Sequence, residues 1–163
     1  MRFLCDEMLG RLARYLRAAG YDTAQADAGA TDASLLARAV AERRRFITCD
    51  RRIALHKAAR DVALILPRGS LESAARELAR SAAVDWLHAP FTRCLVDNTA
   101  LEAIGTADVD RLPADVGVGD ARRCPACERI YWPGSHHRRM RARLEAWAAG
   151  AFEVPGAARG RLV

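Results

Sequence analysis

Lysine is nearly missing from this 163-residue chain: Lys57 stands alone, and the rest of its 26 basic residues are arginine. Also missing is any apolar run near the ~20 residues that a bilayer-spanning helix needs, so no such helix is expected. Only Phe3, Leu4 and Cys5 separate Arg2 from Asp6 and Glu7, too little for the apolar region of a secretory signal. A cytoplasmic location is therefore expected. The cysteines number five, an odd count that argues against a disulfide framework and for metal binding or simple burial. No internal repeat or low-complexity tract breaks the chain.

The residues that are present describe a soluble globular protein: 51% hydrophobic and 28% charged, with mean hydropathy of -0.12. The length suits one domain with a small appended module, not two full domains. A net charge of +6 and a pI near 9.5 suit a polyanionic partner, although an arginine- and alanine-rich composition is also what a GC-rich genome produces.

Periodicity organises residues 2 to 85 into alternating strands and helices. Strands are expected at Arg2–Cys5, Asp22–Ala26, Arg45–Cys49 and Val62–Leu66, and helices at Leu9–Ala19, Ala33–Arg44 and Leu71–Ala82, with a short helix through Leu55. Such alternation predicts an α/β fold, an open parallel sheet with helices on both faces. Gly20 fits the residue just past a helix end, Thr31 or Asp32 an N-cap, and Ser70 another. After Trp86 the composition shifts. Residues 97–120 carry six acids against Arg111 alone, whereas residues 121–144 carry seven arginines against Glu128. A boundary is expected near residues 87–92, giving a domain at 1–88, a module at 89–150 and a loose tail at 151–163.

Asp6 and Asp50 each follow a strand directly, in the dipeptide Cys-Asp. In a 2-1-3-4 sheet the order reverses between the first and third strands, so both carboxylates would stand at the crevice where open α/β sheets bind ligands. Two crowded carboxylates suit a hard divalent cation, Mg²⁺ or Mn²⁺, which could activate water and neutralise charge on a phosphodiester under attack. Aspartate is equally at home there as a helix N-cap. Cys5 and Cys49 are expected to point into the core.

Several stretches together resemble one family. They are Asp6-Glu7-Met8-Leu9-Gly10-Arg11-Leu12-Ala13-Arg14-Tyr15-Leu16-Arg17, Gly20-Tyr21-Asp22, the helix-opening Asp32, and Phe46-Ile47-Thr48-Cys49-Asp50. They are similar to the PIN-like ribonuclease domain named after the C-terminal part of Mut-seven exonuclease. The resemblance implies a PIN-like fold and a metal-dependent RNase site in which Asp6, Asp32 and Asp50 hold Mg²⁺ or Mn²⁺. Arg51 and Arg52 follow Asp50 and could reach substrate phosphates. A solvated helix face explains Arg14 and Arg17 equally well.

Cys124-Pro125-Ala126-Cys127 is a turn that lets two thiolates grip zinc. Its upstream partner reads Cys94-Leu95-Val96-Asp97, with aspartate where the second cysteine should be. The resemblance includes a zinc ribbon with four cysteines, so Asp97 departs from it. A Cys94, Asp97, Cys124, Cys127 site remains chemically sound, although a hard ligand replaces a soft one; recruitment of His136 or His137, or loss of the metal, are the alternatives. Tyr131-Trp132-Pro133-Gly134-Ser135-His136-His137 then leads into a helix through Met140, Leu144 and Trp147. Arg122, Arg123, Arg138 and Arg139, with Arg141 and Arg143, would let a basic ribbon beside the crevice clamp RNA. The leading expectation is a metal-dependent ribonuclease. Its rivals are a non-catalytic RNA-binding module of the same fold and a metal-dependent phosphatase. A protein inhibitor or antitoxin as partner is left open.

Overall fold

A computed structural model describes residues 1–152. Four strands, β1 (Arg2–Cys5), β2 (Asp22–Gln25), β3 (Arg45–Thr48) and β4 (Ala63–Ile65), form one parallel sheet in the order β2-β1-β3-β4. That is the order expected from right-handed crossovers. α1 (Gly10–Ala18) joins β1 to β2, α2 (Asp32–Ala41) joins β2 to β3, two 3₁₀ turns (Arg51–Leu55 and Lys57–Ala59) join β3 to β4, and α3 (Leu71–Ala82) follows β4.

Alternate residues of the central strands feed two cores, as a pleated sheet requires. Phe3, Cys5 and Ile47 pack with Leu12 and Leu16 of α1 and Leu78 of α3, while Leu4 and Phe46 face Leu35, Leu36 and Ala39 of α2. Cys5 lies at the centre of the first core, and burial pushes its thiol up to about 12, which makes it an inert packing group. Cys49 is only half-buried at the edge of that core.

Helix boundaries follow local chemistry. Thr31 and Ser70 cap α2 and α3 by accepting from the amides of Ser34 and Ser73. The second helix stops at Ala41, three residues before the expected end, because Arg43 turns into the left-handed region (φ 52°). That turn sends the buried Arg44 back to pair with Glu42 and Asp22. The helix expected from Leu9 begins instead with a 3₁₀ turn at Glu7–Leu9, and the short helix through Leu55 is a 3₁₀ turn at Arg51–Leu55. After α1, Gly20 adopts φ 98°, and a Cβ there would run into the Ala89 carbonyl.

The acid-rich and arginine-rich stretches form one small unit: β5 (Glu102–Ala103), β6 (Arg122–Arg123) and β7 (Ile130–Tyr131) in an antiparallel sheet, then α4 (Ser135–Ala148). Their opposite charges meet internally, since Asp108 of the first stretch pairs with Arg123 of the second.

This unit shares a core with the parallel sheet. Met140, Leu144 and Trp147 of α4 join the cluster of Phe3, Leu16 and Leu78, through Trp86, whose ring lies 4.7 Å from that of Trp147, and Tyr15, at 4.9 Å. The expected boundary at residue 88 therefore crosses continuous apolar packing. The tail expected at 151–163 lies, from residue 153 onward, outside the described residues.

Candidate functional site

The strand order reverses between β1 and β3, so the crevice lies beyond Cys5 and Thr48. Asp6 extends the pairing by one step, its amide donating to the Ile47 carbonyl at 2.9 Å. Thr48 then ties the two expected ligands together: its hydroxyl donates to Asp6 Oδ2 at 2.5 Å and accepts from the Asp50 amide at 3.0 Å. The first contact has the length of a charge-assisted bond. This was not read from the sequence, where Thr48 figured only as part of a motif.

The carboxylates differ in what else they do. Asp50 Oδ1 caps the following turn by accepting from the Arg52 amide at 2.9 Å, and its Oδ2 lies 3.4 Å from the Arg52 guanidinium. That amide, with the charges of Arg52 and Arg68, holds the Asp50 pKa below its ordinary value. Asp6 makes no such cap. Asp32, the first residue of α2, stands 3.8 Å from His56 Nε2. Thr48 thus links the Asp6 carboxylate to the Asp50 backbone, while Asp32 stands apart, beside His56.

Beside Asp50 a hollow of about 310 Å³ is lined by Cys49, Arg51, Pro67 and Arg68. Arg68 escaped the sequence reading. Its position three residues past β4, next to β3 in the sheet, was the available signal. The oxygen donors of Asp6, Thr48 and Asp50 suit a hard cation, and the arginines at the rim suit an anionic substrate.

The second cluster is tighter. One ligand atom from each of Cys94, Asp97, Cys124 and Cys127 lies within 4.8 Å of the others, and no other such group of three or more occurs among the described residues. Both turns share one backbone. Cys94 N donates to Thr99 O and Asn98 N to Cys94 O, just as Cys124 N donates to Arg129 O and Glu128 N to Cys124 O. Asn98 and Glu128 are both left-handed (φ 75° and 60°). Asp97 therefore occupies the backbone site of the missing cysteine.

The spacing fits a tetrahedral ion. Zinc bonds of about 2.3 Å to sulfur and 2.1 Å to oxygen imply S–S and S–O edges near 3.8 and 3.6 Å. Cys94 and Cys127 Sγ are 3.6 Å apart, and Asp97 oxygens lie 3.3 and 3.5 Å from Cys124 Sγ. The cluster can hold a metal such as zinc. Burial raises the Cys124 thiol to about 11, so a cation entering here must displace its proton. His136 is exposed and the His137 ring packs on Phe91, with centroids 4.0 Å apart, so neither joins the group.

Arg17 is the main correction to the sequence reading. Far from a solvated face, it is 5% exposed and donates to Thr23 O at 2.8 Å, Leu95 O at 3.1 Å and Val96 O at 2.8 Å. Asn98 completes the joint, accepting from Thr23 N and donating to Asp22 Oδ1. Asp22 and Thr23 begin β2, so the first turn docks at the N-terminal edge of the sheet, opposite the carboxylates. The basic residues also divide. Arg123 and Arg143 are committed to internal partners, whereas Arg51, Arg52, Arg122, Arg138 and Arg139 are exposed.

A parallel β2-β1-β3-β4 sheet with carboxylates at its switch point, joined to a two-turn metal ribbon, defines the class: an α/β, PIN-like domain with a ribbon attached. The family model described as Mut7-C RNAse domain matches residues 1–144, and the chain belongs to that family. Comparison with curated proteins gave no match, and neither did comparison with solved structures.

Proposed function

We propose that the protein is a metal-dependent ribonuclease that hydrolyses RNA phosphodiester bonds at the Asp6–Asp50 crevice. The observation that carries this is the Thr48 hydroxyl, which holds the Asp6 carboxylate and the Asp50 backbone amide at the point where strand order reverses. Asp6 and Asp50 would hold Mg²⁺ or Mn²⁺, with Asp32 at the edge of the site. Such an ion supplies an activated water and neutralises charge on the phosphate. Thr48 orients the Asp6 carboxylate. Arg51, Arg52 and Arg68 draw the phosphate in and offset its negative charge. The ribbon holds zinc and, in this reading, supports the 1–88 domain as an 89–150 module. A reducing cytoplasm fits it, since the ribbon thiols must stay free to bind metal.

Asp6→Asn and Asp50→Asn should each abolish Mn²⁺-dependent cleavage of single-stranded RNA. Both variants keep the acceptor oxygen used by Thr48 or by the Arg52 amide, and asparagine caps as well as aspartate does, so melting temperatures should move by no more than about 2 °C. Undiminished cleavage by Asp50→Asn would refute the mechanism. The cap made by Asp50 and the His56 contact of Asp32 favour a second reading, a non-catalytic RNA-binding module. RNA binding without cleavage by the unaltered protein would select it.

A further inference from the structure

The geometry points to a binding track for single-stranded RNA on the face shared by α1, α4 and the ribbon, away from the carboxylate crevice. It rests on reading the protein as one that acts on RNA, and it names the form of RNA and where its unpaired bases would sit.

Two adjoining clefts run along this face. One, of about 410 Å³, lies between the ribbon and the start of α4 and is walled by Tyr131, Trp132, His137 and Phe91, with Arg14 and Arg129 at its rim. The other, of about 480 Å³, runs between α1 and α4 over Tyr15 and Trp147, with Arg139 and Arg143 beside them. His136 and Met140 line both, so the two lie side by side. Each has the size of an ordinary small-ligand cleft.

Charge selects the occupant. Neither cleft is lined by a carboxylate, although the chain has 20 acidic residues, and arginines edge both. The nearest acids lie outside both linings: Glu72 pairs with Arg143 at 3.7 Å, and Asp115 and Asp120 line a separate hollow that shares Trp132 with the first cleft. Aromatic walls with unpaired arginines at the rim, here Arg14 and Arg139 among the described residues, are the combination that stacks unpaired bases and neutralises the phosphates between them.

The outer face of α1 connects this track to the crevice. Leu12, Ala13, Leu16 and Arg17 point inward, which leaves Arg11, Arg14 and Tyr15 on the opposite side. The helix begins next to the turn that follows Asp6 and is about 13 Å long. A strand held in the clefts could therefore follow Arg14 and Arg11 toward Asp6.

The test is binding of a fluorescein-labelled eight-nucleotide oligouridylate to the full, zinc-loaded chain without Mg²⁺, Mn²⁺ or chelator, across a salt series. Arg14 and Arg139 have no ion-pair or side-chain hydrogen-bond partner among the described residues, so reversing them should leave the fold intact. Arg14→Glu with Arg139→Glu should weaken binding at least tenfold and lower the salt slope by about 1.4, at about 0.7 per phosphate contact. Trp132→Leu should weaken it about tenfold through lost stacking. Parent-like binding by the double variant overturns the track even if the protein cleaves RNA. Variant-sensitive binding without cleavage upholds it while the nuclease reading fails. Equal affinity for an eight-base-pair duplex, or a dimer in sedimentation that Trp132→Leu dissolves, also overturns it, the latter assigning the clefts to a second copy.

Discussion

Replacing Arg17 by methionine isolates the role of its guanidinium, because the methionine stem preserves most of the packing in the core. Two of the three carbonyls that Arg17 serves, those of Thr23 and Leu95, are buried, and that of Val96 is partly so. Each buried acceptor left without a donor costs about 1–3 kcal/mol. Against this, the guanidinium is itself desolvated, which lowers its pKa, and its removal returns part of that cost. The net loss should be about 3 kcal/mol. For a protein of this size that corresponds to a fall in melting temperature of about 6–12 °C. Circular dichroism melts of Arg17→Met beside the exposed Arg14→Met, expected to change by less than about 0.5 kcal/mol, make the comparison. Chelator-driven zinc release should also quicken, since Leu95 and Val96 lie between the ligands Cys94 and Asp97. A fall below about 3 °C, with unchanged zinc release, would refute the idea that Arg17 anchors the ribbon.

Asp97→Ala should weaken zinc at least tenfold and release it to a mild chelator, whereas Asp97→Cys should tighten it and raise the melting temperature, because the backbone already has the geometry of a cysteine turn. Metal analysis with chelator titration decides this, and full retention by Asp97→Ala would remove Asp97 from the ligand set. Asp22 bears on acid stability. Burial alone would raise its pKa, but hydrogen bonds from Arg44, Asn98 and Arg2 outweigh that and hold it well below the usual range. Its stabilisation is therefore complete above the unfolded value of about 3.9 and is lost as pH falls from there toward the folded value. Asp22→Asn should be less stable at pH 7 and show a flatter acid limb in urea titrations from pH 6 to 2.5; parallel limbs would contradict the assignment.

The parallel sheet was legible because its elements alternate at short range and each strand's apolar residues announce its two faces. The placement of Asp6 and Asp50 at neighbouring strand ends was legible for the same reason, since a 2-1-3-4 order sets the first and third strands side by side. Thr48 as their link was not, because side-chain direction depends on atomic detail. Arg17 was misread: helical periodicity places it at the margin of the buried stripe, and the Leu95 and Val96 carbonyls that bury it are 78 and 79 residues away. The His56 contact of Asp32 arises from irregular 3₁₀ turns that carry no periodic signal. The site of ribbon docking was equally hidden, since a change in composition marks where a segment begins but not which edge of a sheet receives it.

The docking of α4 onto α1 has a consequence for the order in which the molecule assembles. Arg2 meets Asp22 across 20 residues, whereas Arg143 reaches Tyr15 across 128. Loop-closure entropy grows as the logarithm of length, so the second contact costs about 1.6 kcal/mol more to close than the first. The parallel sheet can form from near neighbours, but α4 must cross most of the chain before its two tryptophan contacts and Met140 offset that cost. On this entropy α4 should arrive late, and the aromatic clefts beneath it should form after the carboxylates at the far edge have their scaffold.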